Sequence, residues 1–570
     1  MFNPREINLS DPKYLPGEKQ VKRNLKAAAS TDNAVVTASI LKILEMGGNA
    51  VDAGIAGCIV QAAIEPFMTN HTGTVTLLYY EAKTGKFYQL DSAGTIPSDL
   101  PLHLPIPKQT SGYAMSPPRS CIPGFMPGLK AIHERFGTLE WKILCEEAIY
   151  WAETGHHVSS FELEVNMFGE SFITFFPEGR QFYKPDGRFI PVGKRFKYPI
   201  MAETLRKVAE KGPDYMITGG WGKKFVEKAN QMGWKITIDH MVENPPRWIE
   251  PLRFPFREYE IVSLAPPQQQ GIFVALTLGI LDKLDIHSVA PYSADHIYYL
   301  AHVMRLAQLN CGYLNDPVIS DIDTDLYTDP DYHKQLARLI KGYRPKDDLD
   351  LTKHVQFTAT PNLANEFIAT GAPTREGTNS IQEQPSGSCE LSIVDQEGNW
   401  VQMMNTLQSG GIPGMVIDGI PMVGSHAMPN MFAAMLDFKM VKGTRMTSVM
   451  GHTMVLRDGK PVFSCGTPGN VHCTIPQVLL NYLVFNMSPY EAISAPRMLA
   501  MQEDNSVIIE DRISTETQLA LEKMGVKVRV SPAWDYHMGS FQICYIDRKT
   551  GELCTTADPR RCGVGDGIPR

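Results

Sequence analysis

The sequence predicts a globular α+β fold, because helical and strand patterns both occur before a polar break and strands dominate after it. Apolar residues recur at helical spacing over 27–46, 128–136 and 294–310. A hairpin pattern at 79–88 lies among these helices. The chain has 570 residues, 43% of them hydrophobic and 20% charged. This composition allows a large buried core, and large layered enzymes of this length can form one compact unit instead of several domains.

A polar stretch at 370–387 divides the chain. Gly, Pro, Thr, Asn and Gln dominate this stretch, and it carries no apolar periodicity. After it, strands are predicted at 453–456 and 461–464, joined by Arg-Asp-Gly-Lys. A helix is expected to begin at Ser488, which is followed by Pro at the first helical position and by Glu491 of a capping box. We therefore predict a large-subunit region at 1–387 and a small catalytic-subunit region at 388–570.

The junction Gly387-Ser388 is the strongest chemical signal in the chain. The polar stretch ends at Gly387, and a strand begins at Ser388 without an intervening turn. Because Gly387 has no Cβ, the peptide bond between Gly387 and Ser388 can adopt a strained geometry that is open to attack by the Ser388 hydroxyl. After an acyl shift and hydrolysis, Ser388 would carry both a nucleophilic Oγ and a free α-amino group that can act as its base. The alternative is an ordinary Gly-Ser loop that enters a strand.

The residues after Ser388 predict a β-hairpin. An alternating run over 389–394 turns through Asp-Gln-Glu-Gly-Asn and returns over 400–407. Thr406 lies near the end of the returning strand, so it is expected beside Ser388, where it can hydrogen-bond the Ser388 hydroxyl. Strand alternation points Cys389 to the opposite face.

This hairpin resembles the start of the catalytic small subunit in the gamma-glutamyltranspeptidase family of N-terminal-nucleophile hydrolases. In that family a Thr takes the place of Ser388, and Thr406 matches a family Thr without a gap. Further segments match in family order, including Gly-Gly-Asn-Ala-Val-Asp-Ala at 47–53. The eight matching segments are 44–53, 119–124, 266–271, 293–295, 313–317, 388–406, 495–497 and 557–560.

The resemblance implies a four-layer αββα sandwich in which both regions contribute strands to one core. It also implies an oxyanion hole at the turn Gly-Thr-Pro-Gly-Asn over 466–470, which precedes a largely apolar helical run. A glycine-rich turn that enters a helix presents free backbone N–H groups, which suit an oxyanion. Gly469 matches the family, whereas Asn470 replaces a second Gly. We expect the N–H groups of both residues to act as donors, because Asn tolerates left-handed dihedrals.

The substrate-binding residues implied by the resemblance differ from the family pattern. The family binds the glutamyl α-carboxylate with an Arg and a Ser-Ser pair, and it binds the α-amino group with an acidic residue and an Asn. At the carboxylate-binding places this sequence has Ala93 instead of the Arg, and Ser448 with Val449 instead of the Ser-Ser pair. At the amine-binding places it has Asn430 instead of the acidic residue and Gln408 instead of the Asn. Glu390 replaces a family His two positions after the nucleophile. A glycine-rich family loop is also glycine-poor here, at 71–76. The nucleophile is thus retained, and the amino-acid clamp is altered.

Composition excludes several other function classes. A net charge of -8 argues against nucleic-acid and anionic-membrane partners. No apolar signal-peptide core, membrane-length segment or paired-cysteine framework occurs, so a cytoplasmic enzyme with reduced thiols is expected. We expect no cofactor and no metal, because the His residues lack partners at zinc spacing. No Gly-x-Ser-x-Gly or His-Glu-x-x-His motif points to another hydrolase class.

Three functions remain open from the sequence. The first is a self-processed amide hydrolase or acylase that acts through an acyl-enzyme on Ser388, with a small-molecule amide other than an ordinary γ-glutamyl substrate. The second is a true gamma-glutamyltransferase or glutathione hydrolase. The third is an unprocessed, non-catalytic relative. In the processed case the large and small fragments are expected to stay associated, and further oligomerisation is compatible with the sequence.

Overall fold

The computed structural model describes residues 2–99, 121–231, 235–311, 314, 316–319, 321–340, 387–406, 414–422, 443–445, 450–500 and 506–570. In the large-subunit region the helices are α1 (Ala34–Glu45), α2 (Ala50–Ile64), α3 (Phe125–Phe136), α4 (Trp141–Thr154), α5 (Ser160–Phe168), α6 (Glu170–Ile173), α7 (Pro177–Tyr183), α8 (Pro199–Lys211), α9 (Asp214–Ile217), α10 (Gly220–Gln231), α11 (His240–Glu243), α12 (Gln270–Lys283), α13 (Ala294–Cys311), α14 (Thr324–Thr328) and α15 (Pro330–Arg338). The strands of this region are β1 (Lys22–Thr31), β2 (Thr74–Glu81), β3 (Lys86–Ser92), β4 (His156–His157), β5 (Arg195–Phe196), β6 (Arg247–Ile249), β7 (Leu252–Phe256) and β8 (Tyr259–Ser263).

The small-subunit region is richer in strands. Its strands are β9 (Cys389–Val394), β10 (Trp400–Thr406), β11 (Met415–Ile417), β12 (Ile420–Met422), β13 (Thr453–Arg457), β14 (Lys460–Gly466), β15 (Met498–Ala500), β16 (Val507–Glu510), β17 (Val528–Ser531), β18 (Gln542–Ile546), β19 (Leu553–Ala557) and β20 (Val564–Pro569). Its helices are α16 (Val471–Leu483), α17 (Pro489–Ser494) and α18 (Thr515–Lys523).

One large antiparallel sheet organises the molecule. Its thirteen strands run in the order β6-β3-β2-β10-β9-β1-β19-β18-β14-β13-β8-β7, with β20 also paired to β1. Groups of strands from the two sequence regions are interleaved in this order, and hairpin β9–β10 lies between β2 and β1. The nucleophile segment is therefore held by large-subunit strands on both sides.

Three apolar clusters pack against this sheet. One joins α1, α2, α3, α4 and α8 to β1, β2, β9 and β10. A second joins α12, α13, α15 and α16 to β7, β8, β13, β14 and β18. The third contains side chains from both ends of the strand order, such as Leu78 and Val394 with Val262 and Met454. The sheet therefore folds back on itself, and Ser392 Oγ of β9 lies 2.9 Å from Ser464 Oγ of β14.

Most predicted elements are confirmed, and one boundary is wrong. The hairpins at 79–88 and 453–464 are present, as are the helices at 128–136 and 294–310. The hairpin predicted at 389–407 is present over its described residues, 389–406. The predicted helix at 27–46 begins only at Ala34, because residues 27–31 belong to β1 and pair with β9 and β20. Long-range pairing overrides the helix propensity of this alanine-rich segment. The predicted capping box at Ser488 is present.

Candidate active site

Ser388 lies at the open end of hairpin β9–β10, directly before β9. The hairpin pairs Cys389 with Asn405, which brings the next residues, Ser388 and Thr406, side by side. The Ser388 Oγ lies 2.6 Å from the Thr406 Oγ1, so the predicted hydrogen bond between these hydroxyls is confirmed. The Ser388 Oγ and, at 3.5 Å, the Thr406 Oγ1 also lie within hydrogen-bond distance of the carbonyl oxygen of Gly387. The two hydroxyl protons are therefore shared among three oxygen atoms, because each hydroxyl supplies one proton. Both hydroxyls thus contact the peptide that Ser388 is expected to cut.

The backbone around this peptide is strained and held in place. Ser388 has a φ of 157°, which L-residues rarely adopt. The guanidinium of Arg561 donates to the Ser388 carbonyl oxygen at 3.2 Å. The next N–H along this face, that of Glu390, donates to Asp32 Oδ2 at 3.0 Å. Two buried charged side chains from distant parts of the chain therefore fix the nucleophile strand.

A glycine allows the large-subunit loop before β2 to approach Thr406. A Cβ on Gly73 would lie 1.7 Å from the Thr406 carbonyl oxygen, so no larger residue fits without moving the backbone. The Gly73 carbonyl accepts a hydrogen bond from Gly124 N at 3.0 Å. The sequence had shown this loop only as glycine-poor, whereas the structure explains the glycine that it keeps.

The predicted oxyanion turn connects β14 to α16. Gly469 has a φ of +85°, whereas Asn470 has φ −80° and ψ 66°. The left-handed conformation thus falls on Gly469, and Asn at 470 needs no unusual φ. Among the described residues, the backbone N–H groups of Gly469 and Asn470 donate no hydrogen bond, to Ser388 or to any other residue. The Asn470 side-chain amide donates to the His537 carbonyl oxygen at 2.8 Å. Their role as oxyanion donors stays a prediction.

Only part of the predicted substrate clamp can be located. Gln408, Asn430 and Ser448 lie outside the described residues. Ala93 is buried, and its carbonyl oxygen accepts a hydrogen bond from Arg445 Nη1 at 2.8 Å.

Arg445 brings a cation to this place, but both terminal nitrogens of its guanidinium donate to protein carbonyls. The guanidinium also donates to the carbonyl oxygens of Asn244, at 2.7 Å, and Pro245. Its backbone N–H donates to Asp316 Oδ2 at 2.8 Å, and Arg247 binds both oxygens of the same carboxylate. The Arg445 side chain therefore ties three backbone segments together.

Glu390 lies on the same face as Ser388 but deeper in the fold. Its side chain is 0% exposed, and its Oε1 lies 2.8 Å from His452 Nδ1. His452 Nε2 in turn lies 2.8 Å from Thr76 Oγ1. These contacts do not support the predicted substrate contact of Glu390, because the carboxylate is enclosed by protein and engaged by His452.

The comparisons with known proteins agree with this geometry. A family model for gamma-glutamyltranspeptidase matches residues 37–568. This chain belongs to that family. It is therefore an enzyme of the N-terminal-nucleophile amidohydrolase and acyltransferase class.

Relatives of this family member have two kinds of name. The chain is 28% identical to a glutathione hydrolase proenzyme of Pseudomonas aeruginosa, covering 95% of this chain and 93% of the relative. It is 24% identical to the acylase ACY 1 proenzyme of Pseudomonas sp. strain SE83, covering 97% and 96%. The crystal structure of cephalosporin acylase from Bacillus halodurans superposes with a TM-score of 0.80 at 20% identity, covering 100% of this chain and 99% of that one. The last match supports the fold alone.

Sequence reasoning missed several buried groups of this gamma-glutamyltranspeptidase-family site. They are Asp32, Glu65, His452 and Arg561. Only Arg561 had a nearby signal, because it follows the matched Asp-Pro-Arg at 558–560. Cys389 contacts Glu65, with Sγ 3.6 Å from Oε2, whereas Ser388 contacts Thr406. The two neighbours thus have different partners, as the predicted placement of Cys389 on the face opposite Ser388 requires. Burial raises the pKa of the Cys389 thiol, which keeps it protonated.

The described residues contain no group of three or more metal-ligating side chains. The buried His156 pairs with Glu162, with Nε2 2.8 Å from Oε2. No described helix is long and apolar enough to cross a membrane.

The buried carboxyl of Glu65 predicts a pH dependence of stability. Burial raises its pKa from 4.5 to about 7. Because the folded state holds this proton more tightly than the unfolded state, the stabilisation is full below about pH 4.5 and is lost as pH rises through 7. We expect the free energy of unfolding of an uncleaved Ser388→Ala precursor to fall over this range, with about 3 kcal/mol from Glu65. Adding Glu65→Gln should flatten the dependence in urea unfolding at pH 4.5 and 7.5.

Asp32 and Glu390, whose pKa values burial raises to about 6 and about 7, contribute in the same direction and remain in both proteins. Carboxyls with lowered pKa, such as Asp316 and Asp558, lose their contribution only below about pH 4. An equally steep pH dependence in the Glu65→Gln precursor would contradict the assignment to Glu65.

Proposed function

We propose that this chain is a self-processing amide hydrolase or acylase that uses Ser388 as its nucleophile. The observation that carries the proposal is the contact of the Ser388 hydroxyl with both Thr406 and the Gly387 carbonyl. In processing, Ser388 Oγ attacks the Gly387 carbonyl carbon, the peptide C–N bond breaks, and an ester forms. Water then hydrolyses the ester, which releases the Gly387 carboxylate and leaves Ser388 with a free α-amino group.

The same hydroxyl then acts on the substrate. Ser388 Oγ attacks the amide carbon while the α-amino group accepts the hydroxyl proton and passes it to the leaving amine. The acyl-enzyme is resolved by water or an amine acceptor. The backbone N–H groups of Gly469 and Asn470, which donate to no other described residue, suit the charge that develops on the carbonyl oxygen.

We further propose that the acyl group is not an ordinary γ-glutamyl group. Ala93 cannot form the bidentate Arg–carboxylate contact that fixes a glutamyl substrate in the family. The cation beside it, Arg445, is 2% exposed and donates to three backbone carbonyls. The acylase among the relatives supports this type of substrate change. The runner-up, a true gamma-glutamyltransferase or glutathione hydrolase, is favoured by the name of the Pseudomonas aeruginosa relative.

Three structural expectations belong to the same proposal. The apolar clusters on the two outer faces and between the folded-back parts of the sheet support the four-layer αββα sandwich. The interleaved strands support fragments that stay associated after cleavage. We also propose a cytoplasmic location and no nucleic-acid or membrane partner, consistent with the net charge of -8.

The first test is whether the wild-type protein cleaves itself. Purified protein on a denaturing gel should show two bands of about 43 and 20 kDa, since 387 and 183 residues divide a mass of 63.5 kDa. Mass spectrometry should place the new N-terminus at Ser388. An intact and fully active chain would refute the mechanism, and an intact, inactive chain would favour the non-catalytic alternative.

The second test addresses the acyl group. The processed protein should hydrolyse γ-glutamyl-p-nitroanilide at least about 100-fold less efficiently than its best substrate in a panel of p-nitroanilides with uncharged acyl groups, because the carboxylate would be left without its Arg. The comparison uses kcat/KM with the same leaving group. If the γ-glutamyl compound is the best substrate, the chain is a conventional family member and the altered-substrate proposal is wrong.

A further inference from the structure

Glu390 and His452 form a buried acid–base pair behind the nucleophile. Both side chains are 0% exposed, and the Glu390 Oε1 to His452 Nδ1 distance is 2.8 Å. With its amide oriented so that both ends find partners, Gln402 also donates to Glu390 Oε1, at 2.6 Å. An oxygen that accepts from two N–H groups carries no proton itself. A proton on Glu390 would therefore sit on Oε2, which is buried and has no hydrogen-bond partner among the described residues, so it would be a buried donor without an acceptor. The other ring nitrogen of His452, Nε2, lies 2.8 Å from the Thr76 hydroxyl oxygen, which can accept a hydrogen bond from it.

This pair joins the parts of the site that must be aligned. Glu390 is two residues from Ser388 on the same strand face, and Thr76 of β2 pairs with Met404 of β10 near Thr406. A Cβ on Gly466 would lie 2.1 Å from Glu390 Oε1, so the carboxylate packs directly on the backbone where the oxyanion turn begins. One hydrogen-bonded pair therefore touches the nucleophile strand, the strand beside Thr406 and the turn.

The charges that face Glu390 are few. His452 and Asp32 are the titratable side chains that act on it among the described residues, and the thiols Cys58 and Cys465 lie close enough to be affected by its charge. Burial raises the pKa of Glu390 to about 7, and the attraction of His452 opposes this rise. An unpaired carboxylate here would be buried next to a second acid, which is costly.

We propose that Glu390 and His452 form an ion pair holding one proton, on His452, and that this pair positions Ser388 against the oxyanion turn. The inference rests on the proposed function of Ser388, because its consequence is a rate of self-cleavage and of amide hydrolysis. Loss of the proton leaves a net negative charge, and gain of a second leaves a net positive one. Either change disturbs the start of β9, so this pair gives the reaction a pH limb of its own.

The first measurement reports the proton directly and needs no activity. In uncleaved Ser388→Ala precursor labelled with ¹⁵N-histidine, His452 should show two protonated ring nitrogens at pH 7, identified by comparison with a His452→Asn variant. Adding Glu390→Gln keeps the oxygen that accepts from Nδ1 but removes the charge, so His452 should become neutral. A neutral His452 in the precursor, unaffected by Glu390→Gln, would overturn the proposal.

The second measurement reports positioning. Precursor made by cell-free translation is followed on gels from pH 6 to 9. Glu390→Gln should slow cleavage at pH 7 by about tenfold or more and shift a limb of the pH profile by about one unit or more. The matched control is Glu162→Gln. This variant changes another buried His–carboxylate pair, in which His156 Nε2 of β4 lies 2.8 Å from Glu162 Oε2 of α5. It should keep the wild-type profile even where it lowers stability.

The two proposals can fail separately. If the wild-type chain never cleaves, the proposed function fails, and the histidine spectra still decide where the proton lies. If the wild type cleaves and Glu390→Gln follows the same pH profile, the positioning pair is wrong and the nucleophile assignment stands.

Discussion

Ser388→Ala should leave the chain as one species of 63.5 kDa and abolish amide hydrolysis. Alanine removes the Oγ that contacts both Thr406 and the Gly387 carbonyl, and without cleavage no free α-amino group forms. Removal of a covalent nucleophile lowers turnover by about 10⁴-fold or more, because its partners cannot replace the covalent step. The measurements are a denaturing gel and turnover of the best amide in the panel.

Ser388→Thr is the matched control for this variant. Threonine keeps the hydroxyl and is the residue that the gamma-glutamyltranspeptidase family carries at this position. We expect it to cleave, at a rate set by how well the extra methyl group fits a site that is only 6% exposed. Cleavage of Ser388→Ala at the wild-type rate would show that another group performs the attack.

Thr406→Val should slow self-cleavage by about 100-fold while the fold persists. Valine keeps the shape of the side chain but removes the hydroxyl that lies 2.6 Å from Ser388 Oγ. A positioned group that handles the proton of a nucleophile contributes about 10²–10⁴-fold. The rate is measured on gels with cell-free precursor, and thermal unfolding of the uncleaved protein checks the fold.

Thr406→Ser restores the hydroxyl and should cleave within about threefold of the wild type. The stability change of Thr406→Val should stay near 1 kcal/mol, the typical net contribution of one hydrogen bond. If Thr406→Val cleaves as fast as the wild type, Thr406 does not assist Ser388, and its proximity is structural.

The local part of the site could be predicted because its residues are close in sequence. Hairpin β9–β10 follows from alternation around one turn, and its register alone brings Ser388 and Thr406 together across eighteen residues. The capping box at Ser488 is equally local. The helix predicted at 27–46 failed where a strand partner from the far end of the chain competed with local propensity, since residues 27–31 pair with β20.

The surroundings of the nucleophile could not be predicted in this way. Asp32 reaches the Glu390 N–H across 358 residues, and Glu65 reaches Cys389 across 324. Arg445 contacts the carbonyl of Ala93 across 352 residues. No periodicity or spacing encodes such contacts, because they depend on how segments far apart in the chain are brought together, as when hairpin β9–β10 lies between β2 and β1.

The sequence by itself determined the Gly387-Ser388 junction at which we propose cleavage, the hairpin that presents it and membership of the gamma-glutamyltranspeptidase family, because each depends on residues whose order is read directly along the chain. Only the tertiary structure decided which buried charges stand around Ser388, that the left-handed turn conformation falls on Gly469, and that Glu390 faces His452. These features arise when the sheet folds back on itself and removes the groups from water. Their protonation and partners are therefore fixed by burial and distance, which a linear sequence does not contain.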